Sequence, residues 1–392
     1  MRRGACPSLA VPMATGDGLL VRLNPVDRQL SAPALAGLAH AASELSNGIV
    51  EITARGSLQL RGFTEAGVAA LAGLVARLDI ELTTGVAVET GALAGLDPAE
   101  IADPRPLAAA LRGAIARSGR GFAPKASVVV DGGGVLRLDH LACDVRLEAT
   151  EGGQWSCRGR PVEDPAAFVL DGLAASCGRT AATTRPPAEP IGVHRLRDGR
   201  FAVGVGLPFG QAPAESLEAL ACSPAVAFRL SPGRALLAVG LDAAGLPAWT
   251  GAARARGLVT DPADPRRAVA ACPGCPACGS GEIPARAMAE VIAARAAPLL
   301  DGSLVLHVSG CGKACAHPRQ ALLTLTGVDG ACDLALDGVA LARLRPAAAM
   351  DALARLADLV SGQRSTGETA AGCLGRLGGR RLGRLLRDRV HA

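Results

Sequence analysis

The sequence contains no tyrosine, and only six phenylalanines and two tryptophans occur among its 392 residues. Leu, Val and Ala remain plentiful, so this shortage of aromatics does not indicate a disordered chain. The formal net charge of +5 is spread along the chain, with no basic block interleaved with aromatic residues. We therefore expect no nucleic-acid partner.

Lysine is also nearly absent. Only Lys125 and Lys313 occur, so arginine carries almost all of the positive charge. A chain that otherwise uses arginine can keep lysine where a compact and flexible ammonium is required. Chance survival of the two residues is the alternative explanation, and composition does not decide between them.

Long apolar runs are missing as well. No stretch reaches the roughly 20 apolar residues of a membrane span, and the first residues lack the apolar run of a signal peptide. We expect a soluble, cytoplasmic protein without a membrane partner. Its twelve cysteines then favour metal ligation over disulfides. Rossmann and P-loop motifs are absent, so we expect electrons to come from an external donor, a reductase or a ferredoxin.

Two weakly similar halves are present. Each half predicts a β-α-β-β-α unit, with its first strand at 18–25 or at 201–208. An Asp-Pro pair follows each unit, at Asp103-Pro104 and at Asp264-Pro265, and precedes a helix, a hydrophobic strand and a Gly-rich turn. Only the second of these turns carries cysteines. Residues 179–192 are predicted to link the halves.

Five cysteines are clustered in two short segments. Cys272, Cys275 and Cys278 stand in a Cys-Pro-Gly-Cys-Pro-Ala-Cys run, and Cys311 and Cys315 follow in Cys-Gly-Lys-Ala-Cys. An iron–sulfur cluster needs four thiolates around a compact core, and two loops of this kind supply them. A structural zinc site uses C-x2-C pairs, which the C-x3-C pair fits less well. We predict Cys272, Cys278, Cys311 and Cys315 as ligands, although Cys275 could replace one of the first two.

This constellation resembles the nitrite and sulfite reductase family, in which C-x5-C and C-x3-C hold a [4Fe–4S] cluster. Thr53-Ala54-Arg55 with Gln59–Gly62, and Ala123-Pro124-Lys125, are similar to its substrate- and cofactor-binding stretches, and the likeness covers most of 5–340. The resemblance implies an α+β fold, with two ferredoxin-like units and two cluster-type α/β units related by a pseudo-two-fold axis. The implied units are 1–95 (ferredoxin-like), 96–185 (α/β without cluster), 186–262 (ferredoxin-like) and 263–392 (α/β with cluster and C-terminal helices).

Within that family the likeness is greatest to the branch that works in aerobic cobalamin biosynthesis. The stretches concerned are Arg3–Pro7, Gly16–Leu23, Leu93–Pro98 and Ser309–Pro318. The likeness implies a monooxygenase that hydroxylates the tetrapyrrole precorrin-3A with O2 and forms a γ-lactone, with electrons relayed through the [4Fe–4S] cluster. It further implies a mononuclear non-haem iron, and it makes the tetrapyrrole a substrate rather than a bound sirohaem.

The chain departs from the family's oxyanion cage of two arginines and two lysines. Ser127 stands where a second lysine is expected beside Lys125, and Gly85–Thr90 has no arginine near Val86. Reduction of an oxyanion depends on such a positive cage. The departure counts against a sirohaem-dependent sulfite or nitrite reductase, which stays an alternative together with a zinc-stabilised binding module.

Arginine and lysine side chains are the groups expected to bind the carboxylates on the rim of a tetrapyrrole. The predicted substrate-binding residues are Arg22, Arg55, Arg61, Lys125 and Lys313, and Arg55 and Lys125 are also the predicted catalytic residues. Lys313 lies between two predicted ligands, where its charge could raise the potential of a cluster. For each of these side chains an ordinary solvated role is the competing interpretation.

Overall fold

A computed structural model of the protein describes residues 7–175, 187–223, 227–317 and 321–388. Most of the predicted linker therefore lies outside the described residues. The described chain divides into two compact units. The first contains the chain up to Met13, Leu19–Leu207 and Gln211–Thr260, and the second contains Ala14–Gly18, Pro208–Gly210 and the chain from Asp261 onward.

The elements follow one another in four groups. The first group is β1 (Met13–Thr15), β2 (Gly18–Leu23), β3 (Gln29–Ser31), α1 (Ala32–Leu45), β4 (Ile49–Ile52), β5 (Leu58–Phe63) and α2 (Glu65–Arg77). The second is β6 (Ala87–Glu89), α3 (Arg105–Arg117), β7 (Ser127–Asp131), β8 (Val145–Thr150), β9 (Gln154–Cys157), β10 (Arg160–Pro161) and α4 (Pro165–Ala175).

The third and fourth groups repeat this order. The third is β11 (Gly192–Arg195), β12 (Phe201–Gly206), β13 (Gln211–Pro213), α5 (Ala214–Ala221), β14 (Ala227–Ser231), β15 (Ala235–Leu241) and α6 (Gly245–Ala255). The fourth is β16 (Val269–Ala271), α7 (Ala285–Arg295), β17 (Leu306–Ser309), β18 (Leu323–Val328), β19 (Ala331–Leu336), β20 (Val339–Leu344), α8 (Pro346–Gln363), α9 (Ala370–Leu377) and α10 (Gly379–Asp388).

Two antiparallel sheets of the first unit exchange a short strand. Sheet 1 contains the order β2-β5-β4-β13, and sheet 3 has the order β11-β12-β15-β14-β3. Strand β3 thus leaves the first repeat to pair with β14, and β13 leaves the third group to pair with β4. The strands β3 and β13 occupy equivalent places in the two repeats, so the exchange is reciprocal.

One hydrophobic core serves both of these sheets. Val21 and Leu60 from sheet 1 pack in the same buried cluster as Val203 and Leu230 from sheet 3, together with apolar residues of the helices. Local signals start the helices: Ser31 Oγ accepts the Ala34 N–H at 3.2 Å ahead of α1, and Thr64 Oγ1 accepts the Gly67 N–H at 3.1 Å ahead of α2. Such caps satisfy backbone donors that the helix cannot.

The other two sheets share one topology. Sheet 2 runs β10-β9-β8-β7-β6 in the first unit, and sheet 4 runs β16-β17-β18-β19-β20 in the second. In each, the first three strands in chain order pair in parallel and the last two are antiparallel. This strand-for-strand repetition confirms the predicted α+β class and the duplicated architecture, while the predicted boundaries of the four parts stay a prediction.

The Asp-Pro pairs have the same local structure in both repeats. Asp103 accepts the backbone N–H of Arg105 at 3.0 Å and binds its guanidinium at 2.7 Å. Asp264 does the same for Arg266, at 2.9 Å and 2.6 Å. No described helix has both the length and the apolar character needed to cross a membrane.

Candidate functional site

Two cysteine-bearing loops leave the same edge of sheet 4. Cys272 comes directly after β16, and Gly310 and Cys311 come directly after β17. These strands are parallel neighbours, with Ala271 in register with Val308. Because parallel strands end at the same edge of a sheet, the loops 272–282 and 310–315 emerge side by side.

Glycines allow these loops to lie very close together. The N–H of Gly310 donates to Cys272 Sγ at 3.0 Å, and the N–H of Glu282 donates to Gly310 O at 2.8 Å. A Cβ on Gly310 would lie 3.0 Å from Gly274 Cα and 3.3 Å from Cys272 Sγ. Only glycine therefore fits at 310 without moving the facing loop.

Several groups of the two cysteine loops shift the pKa of the Cys272 thiol. Burial raises the pKa of its thiol, the N–H groups of Gly310 and Gly274 lower it, and the thiols of Cys315 and Cys311 raise it. Cys272 is therefore close enough to Cys311 and Cys315 to interact with both. A bound metal cation would instead lower the pKa of the Cys272 thiol, because it stabilises the thiolate.

The other loop cysteines are at least partly accessible, as Cys272 is. Cys275 and Cys278 are half-buried, and Cys315 is exposed. Their backbones are fixed by hydrogen bonds from Cys275 N to Ile283 O at 3.0 Å and from Cys278 N to Gly274 O at 2.8 Å. All described cysteines are free thiols, namely Cys143, Cys157, Cys222, Cys272, Cys275, Cys278, Cys311, Cys315, Cys332 and Cys373.

The fit to an iron–sulfur cluster rests on the loops rather than on a preformed cage. Within the described parts of the chain, no three His, Cys, Asp or Glu side chains form a metal-holding group. What the loops do supply is several free thiols at one sheet edge and backbone N–H groups aimed at sulfur, which is the donor set that clusters use. The choice of four ligands among the five cysteines stays a prediction.

Lys313 connects the two loops. Its Nζ donates to Ser280 Oγ at 3.0 Å, and Ser280 follows Cys278 in the facing loop. The predicted substrate-binding residue Lys313 therefore lies in the second unit with the cysteines. The other predicted binding residues all lie in the first unit.

A polar row crosses one face of sheet 1. In the strand register Arg22 faces Gln59, Gln59 faces Glu51, and Glu51 faces Gln211. Alternate residues of these strands, such as Val21 and Leu60, enter the hydrophobic core. Side chains alternate between the faces of a sheet, so the row occupies the face opposite the core. We call Arg22, Glu51, Gln59, Arg61 and Gln211 the polar face.

Glu51 is the centre of this face. It accepts hydrogen bonds from Gln211 Nε2 at 2.8 Å and from Arg61 Nη1 at 3.2 Å, and also from Gln59 Nε2. Arg22 Nη2 donates to Gln59 Oε1 at 2.9 Å, while Arg22 Nε is buried without a hydrogen-bond partner. A buried donor of this kind is costly unless it finds an acceptor. Arg22 Nε is thus an unsatisfied donor that has no solvent exposure in this structure.

The equivalent positions of sheet 3 are mostly apolar. Leu237 stands in register with Gly204 and with Arg229, as Gln59 does with Arg22 and Glu51. Leu237 and Val239 pack in a hydrophobic cluster with Ala92 and Leu93. At these positions sheet 3 keeps one polar pair, Arg229 Nη2 donating to Gln29 Oε1 at 2.9 Å. Among the described residues, the longer connected row from Arg22 to Gln211 is therefore a feature of sheet 1.

Arg55 and Lys125 have contrasting environments. Arg55 Nε and Nη2 bind Glu89 Oε1 at 3.0 Å and 2.7 Å, and Nη1 donates to Ala142 O at 2.9 Å. Lys125 is exposed in the turn before β7 with a φ of 69°, and the described residues give it no hydrogen bond or ion pair. Lys125 can therefore receive an anion directly, whereas Arg55 is already paired.

Sequence reasoning missed the acidic and amide members of these networks. Glu89 lies in the stretch 85–90, where the family resemblance implies an arginine, and it pairs with Arg55 and with buried Arg28. Glu51 and Gln211 are 160 positions apart. Period-two alternation of polar residues along β4 and β5 was the available signal for Glu51 and Gln59, and no local signal joined Gln211 to them.

Three comparisons relate the chain to known proteins. The profile of the nitrite/sulfite reductase ferredoxin-like half domain matches residues 11–78. A precorrin-3B synthase of Sinorhizobium sp is 38% identical over 433 aligned positions, which cover 97% of this chain and 94% of that protein. The structure of the Mycobacterium tuberculosis NirA protein superposes with a TM-score of 0.68 at 20% identity, over 93% of this chain and 84% of that one. This last likeness shows the fold alone.

Proposed function

The chain belongs to the precorrin-3B synthase family, and on that premise we propose that it hydroxylates precorrin-3A with O2 and closes the γ-lactone of the product. The observation that carries the proposal is the similarity to a precorrin-3B synthase over nearly the whole length of both chains. One oxygen atom enters the tetrapyrrole and the other leaves as water. The two electrons that this balance requires come from an external reductase or ferredoxin, and the two protons come from solvent.

The polar face of sheet 1 supports a carboxylate-rich substrate. Arginine pairs with carboxylates through several parallel hydrogen bonds. Arg22 Nε, which is buried and without a hydrogen-bond partner, would supply one such donor after the side chain turns toward the substrate. Arg61 presents its guanidinium beside Glu51, so its charge is already partly compensated. We assign Arg22 to direct binding of a substrate carboxylate and Arg61 to the electrostatic background of the face.

Lys125 and Arg55 are assigned different roles. The exposed ammonium of Lys125 would bind a rim carboxylate as a point charge. Arg55 would act while bound to Glu89, contributing the orientation of the 53–57 turn and a positive field rather than a free hydrogen-bond fork. Of the two predicted catalytic residues, Lys125 is thus the one expected to touch the substrate.

The cysteine loops are the proposed place of a [4Fe–4S] cluster, held by Cys272, Cys278, Cys311 and Cys315. When bound, such a cluster supplies one-electron transfer. The chain's own contribution is the N–H of Gly310 aimed at Cys272 Sγ and the cation of Lys313 between two ligands. No described group of side chains fits a mononuclear iron, and no step is assigned to one.

Anaerobically purified protein tests the proposal. Incubation with precorrin-3A, a chemical reductant and 18O2 should give a product that carries one atom of the label, detected by mass spectrometry. An iron–sulfur shoulder in the absorbance spectrum, without sirohaem bands, should accompany this activity. Sirohaem bands with sulfite or nitrite reduction would replace the proposal by the reductase. A colourless protein with stoichiometric zinc would point to a binding module instead.

A matched pair of variants tests the assigned residues. Arg22→Gln should raise the KM for the tetrapyrrole by about tenfold, the effect of losing one charge-assisted contact of about 1.4 kcal/mol. Arg77→Gln, at the end of α2, serves as the control and should leave the KM unchanged. An unchanged KM in Arg22→Gln would remove Arg22 from the substrate site without affecting the reaction assigned to the chain.

A further inference from the structure

A turn near the start of the chain lies against a cysteine loop more than 250 positions away. The turn is Thr15–Gly18, and it belongs to the same compact unit as the cysteines. The backbone N–H of Gly279 donates to Gly16 O at 2.8 Å. Gly279 directly follows Cys278, so the hydrogen bond joins the turn to the loop at one of the predicted ligands.

The approach at Gly16 leaves no room for a side chain. A Cβ there would lie 2.8 Å from Cys278 Sγ, 2.6 Å from Ser280 Oγ and 2.8 Å from Ser280 N. The φ of Gly16 is not in the left-handed region, so its backbone would accept alanine. Glycine is required at this position by the neighbouring loop and not by the shape of the turn.

The turn has its own internal support. Thr15 Oγ1 lies 2.7 Å from both Asp17 Oδ1 and Gly18 O, so the hydroxyl can donate to either. The outer side of the turn is in solvent, since Gly16 and Gly18 are exposed. One side of the turn therefore faces water, while the other lies against Cys278 and Ser280.

Ser280 extends this arrangement to the second cysteine loop. Its hydroxyl accepts the hydrogen bond from Lys313 Nζ at 3.0 Å, and Lys313 lies between Cys311 and Cys315. The three segments 15–18, 272–282 and 310–315 are thus joined in series through Gly16, Ser280 and Lys313. The N-terminal turn is the one of the three that carries no thiol.

We propose that the turn Thr15–Gly18 is a wall of the cysteine site, which covers Cys278 and limits the access of solvent and small oxidants to it. The part of this inference that concerns a bound cluster rests on the function proposed above. The covering of the Cys278 thiol does not, because it concerns the metal-free protein. A solvent-exposed cluster is more easily oxidised and lost, so such a wall protects the ligand that it covers.

Alkylation of the apoprotein tests the wall directly. Reduced, metal-free protein is treated with iodoacetamide, and the rate at Cys278 is divided by the rate at exposed Cys315 in the same sample by peptide mass spectrometry. Gly16→Ala should raise this ratio about tenfold, which corresponds to a local opening eased by about 1.4 kcal/mol. The control is Gly312→Ala, because a Cβ on Gly312 meets no atom within 4 Å and its φ lies outside the left-handed region. Its ratio should equal that of the wild type.

A second variant decides the matter if Gly16→Ala does not fold. Thr15→Val keeps the shape of the side chain but removes the hydroxyl that supports the turn, and should raise the same ratio severalfold. Equal ratios in the wild type and in every folded variant of the turn would overturn the proposal. Faster alkylation in Gly312→Ala would also overturn it, because the effect would then not be specific to the wall.

The protein reconstituted with its iron–sulfur cluster gives an independent test. After anaerobic reconstitution, the Gly16→Ala cluster should lose its absorbance in air severalfold faster than the wild-type cluster, at equal initial iron and sulfide content. Equal decay rates would show that the turn does not shield the cluster. A wild-type protein that takes up no iron and sulfide would rule out the proposed cofactor. The alkylation ratios of the metal-free protein would then still test whether the turn covers Cys278.

Discussion

Two carboxylates, the buried Glu51 and the largely buried Glu89, organise the polar chemistry of the first unit. Glu51 joins Arg61, Gln59 and Gln211 on sheet 1, and Glu89 joins Arg28 and Arg55. Each carboxylate lies between cationic or amide donors from segments that are distant in sequence. Removing one of them takes away a charged acceptor from donors that are largely buried, which costs more than the pair itself contributes.

Glu51→Gln should therefore lower the free energy of unfolding by about 3 kcal/mol, since it removes the carboxylate charge that pairs with buried Arg61. Urea denaturation measures the change. The control is Glu44→Gln on the exposed side of α1, which should alter stability by less than about 0.5 kcal/mol. Equal losses in the two variants would show that the Glu51 pairs do not stabilise the sheet.

Glu100 provides a pH-dependent contribution. Its side chain is 4% exposed, and burial raises its pKa to about 7, against the lowering effect of the Gly95 N–H. Nearby Asp103 and Asp97 raise it and Arg197 lowers it. Because the folded pKa exceeds the unfolded value of 4.5, the folded state holds its proton longer, and stability falls as the pH rises from about 4.5 through 7.

Glu100→Gln should remove this part of the pH dependence. Relative to the wild type, the variant should gain up to about 3 kcal/mol of unfolding free energy between pH 5 and pH 8. Denaturation at a series of pH values measures the difference, with exposed Glu290→Gln as the control. A difference that stays constant with pH would show that Glu100 ionises normally in the folded protein.

At the scale of elements, the duplicated Asp-Pro-Arg segments start equivalent parts of the two α/β repeats. Asp103 and Asp264 each bind the backbone and the guanidinium of the arginine two residues later. Asp198 and Arg200 make the same kind of pair in an exposed turn, with side chains 45% and 49% exposed. The three pairs share their chemistry and differ in burial.

Asp103→Asn and Asp264→Asn should each destabilise the protein by about 1 to 2 kcal/mol, because a charge-assisted and partly buried pair is lost. Asp198→Asn should cost less than about 0.5 kcal/mol, since exposed pairs contribute little. Thermal unfolding of the three variants measures the difference. A loss at Asp198 equal to that at Asp103 would show that burial does not set the strength of these pairs.

The two Gly-rich turns have diverged on equivalent sheet edges. After β7, Gly132 and Gly133 line a small cavity with the carboxylates of Asp97, Glu100 and Asp131. After β17, the corresponding loop carries Cys311 and Cys315. The same strand–turn frame thus supports thiols in one half and carboxylates bonded to backbone N–H groups in the other, which is why only one half is a candidate for a cluster.

At the scale of the whole molecule, the exchange of β3 and β13 makes the halves depend on each other. Sheet 1 needs β13 from the later half, and sheet 3 needs β3 from the earlier one. The hydrophobic core also contains residues of both sheets. Neither ferredoxin-like part can complete its sheet or bury its core without the other.

A chain divided between residues 180 and 181 should therefore fold only when both pieces are present. Each piece expressed alone should be insoluble or unfolded by circular dichroism, and coexpressed pieces should copurify as a one-to-one complex. The intact chain is the control. A soluble and cooperatively unfolding first piece would show that the strand exchange is not needed for stability.

Much of the fold was predictable because its longer elements carry clear periodicity. The strand predicted at 18–25 is β2, and the strand predicted at 201–208 is β12, each within two residues at its end. The short strands β3 and β13 were not predicted, since three residues carry too little alternation to be recognised. Of the candidate site, the cysteine loops were found by spacing, whereas Glu51 and Glu89 were not found.

The sequence by itself determined the duplication, the two cysteine-bearing loops and the family, because these are recorded in local patterns and in residue identities. The tertiary structure alone decided the exchange of strands, the carboxylates that hold the arginines and the position of Gly16 against Cys278. These depend on where the chain brings distant segments together. Contacts between segments so far apart in the sequence are set by the packing of the whole fold, and no local sequence pattern records them.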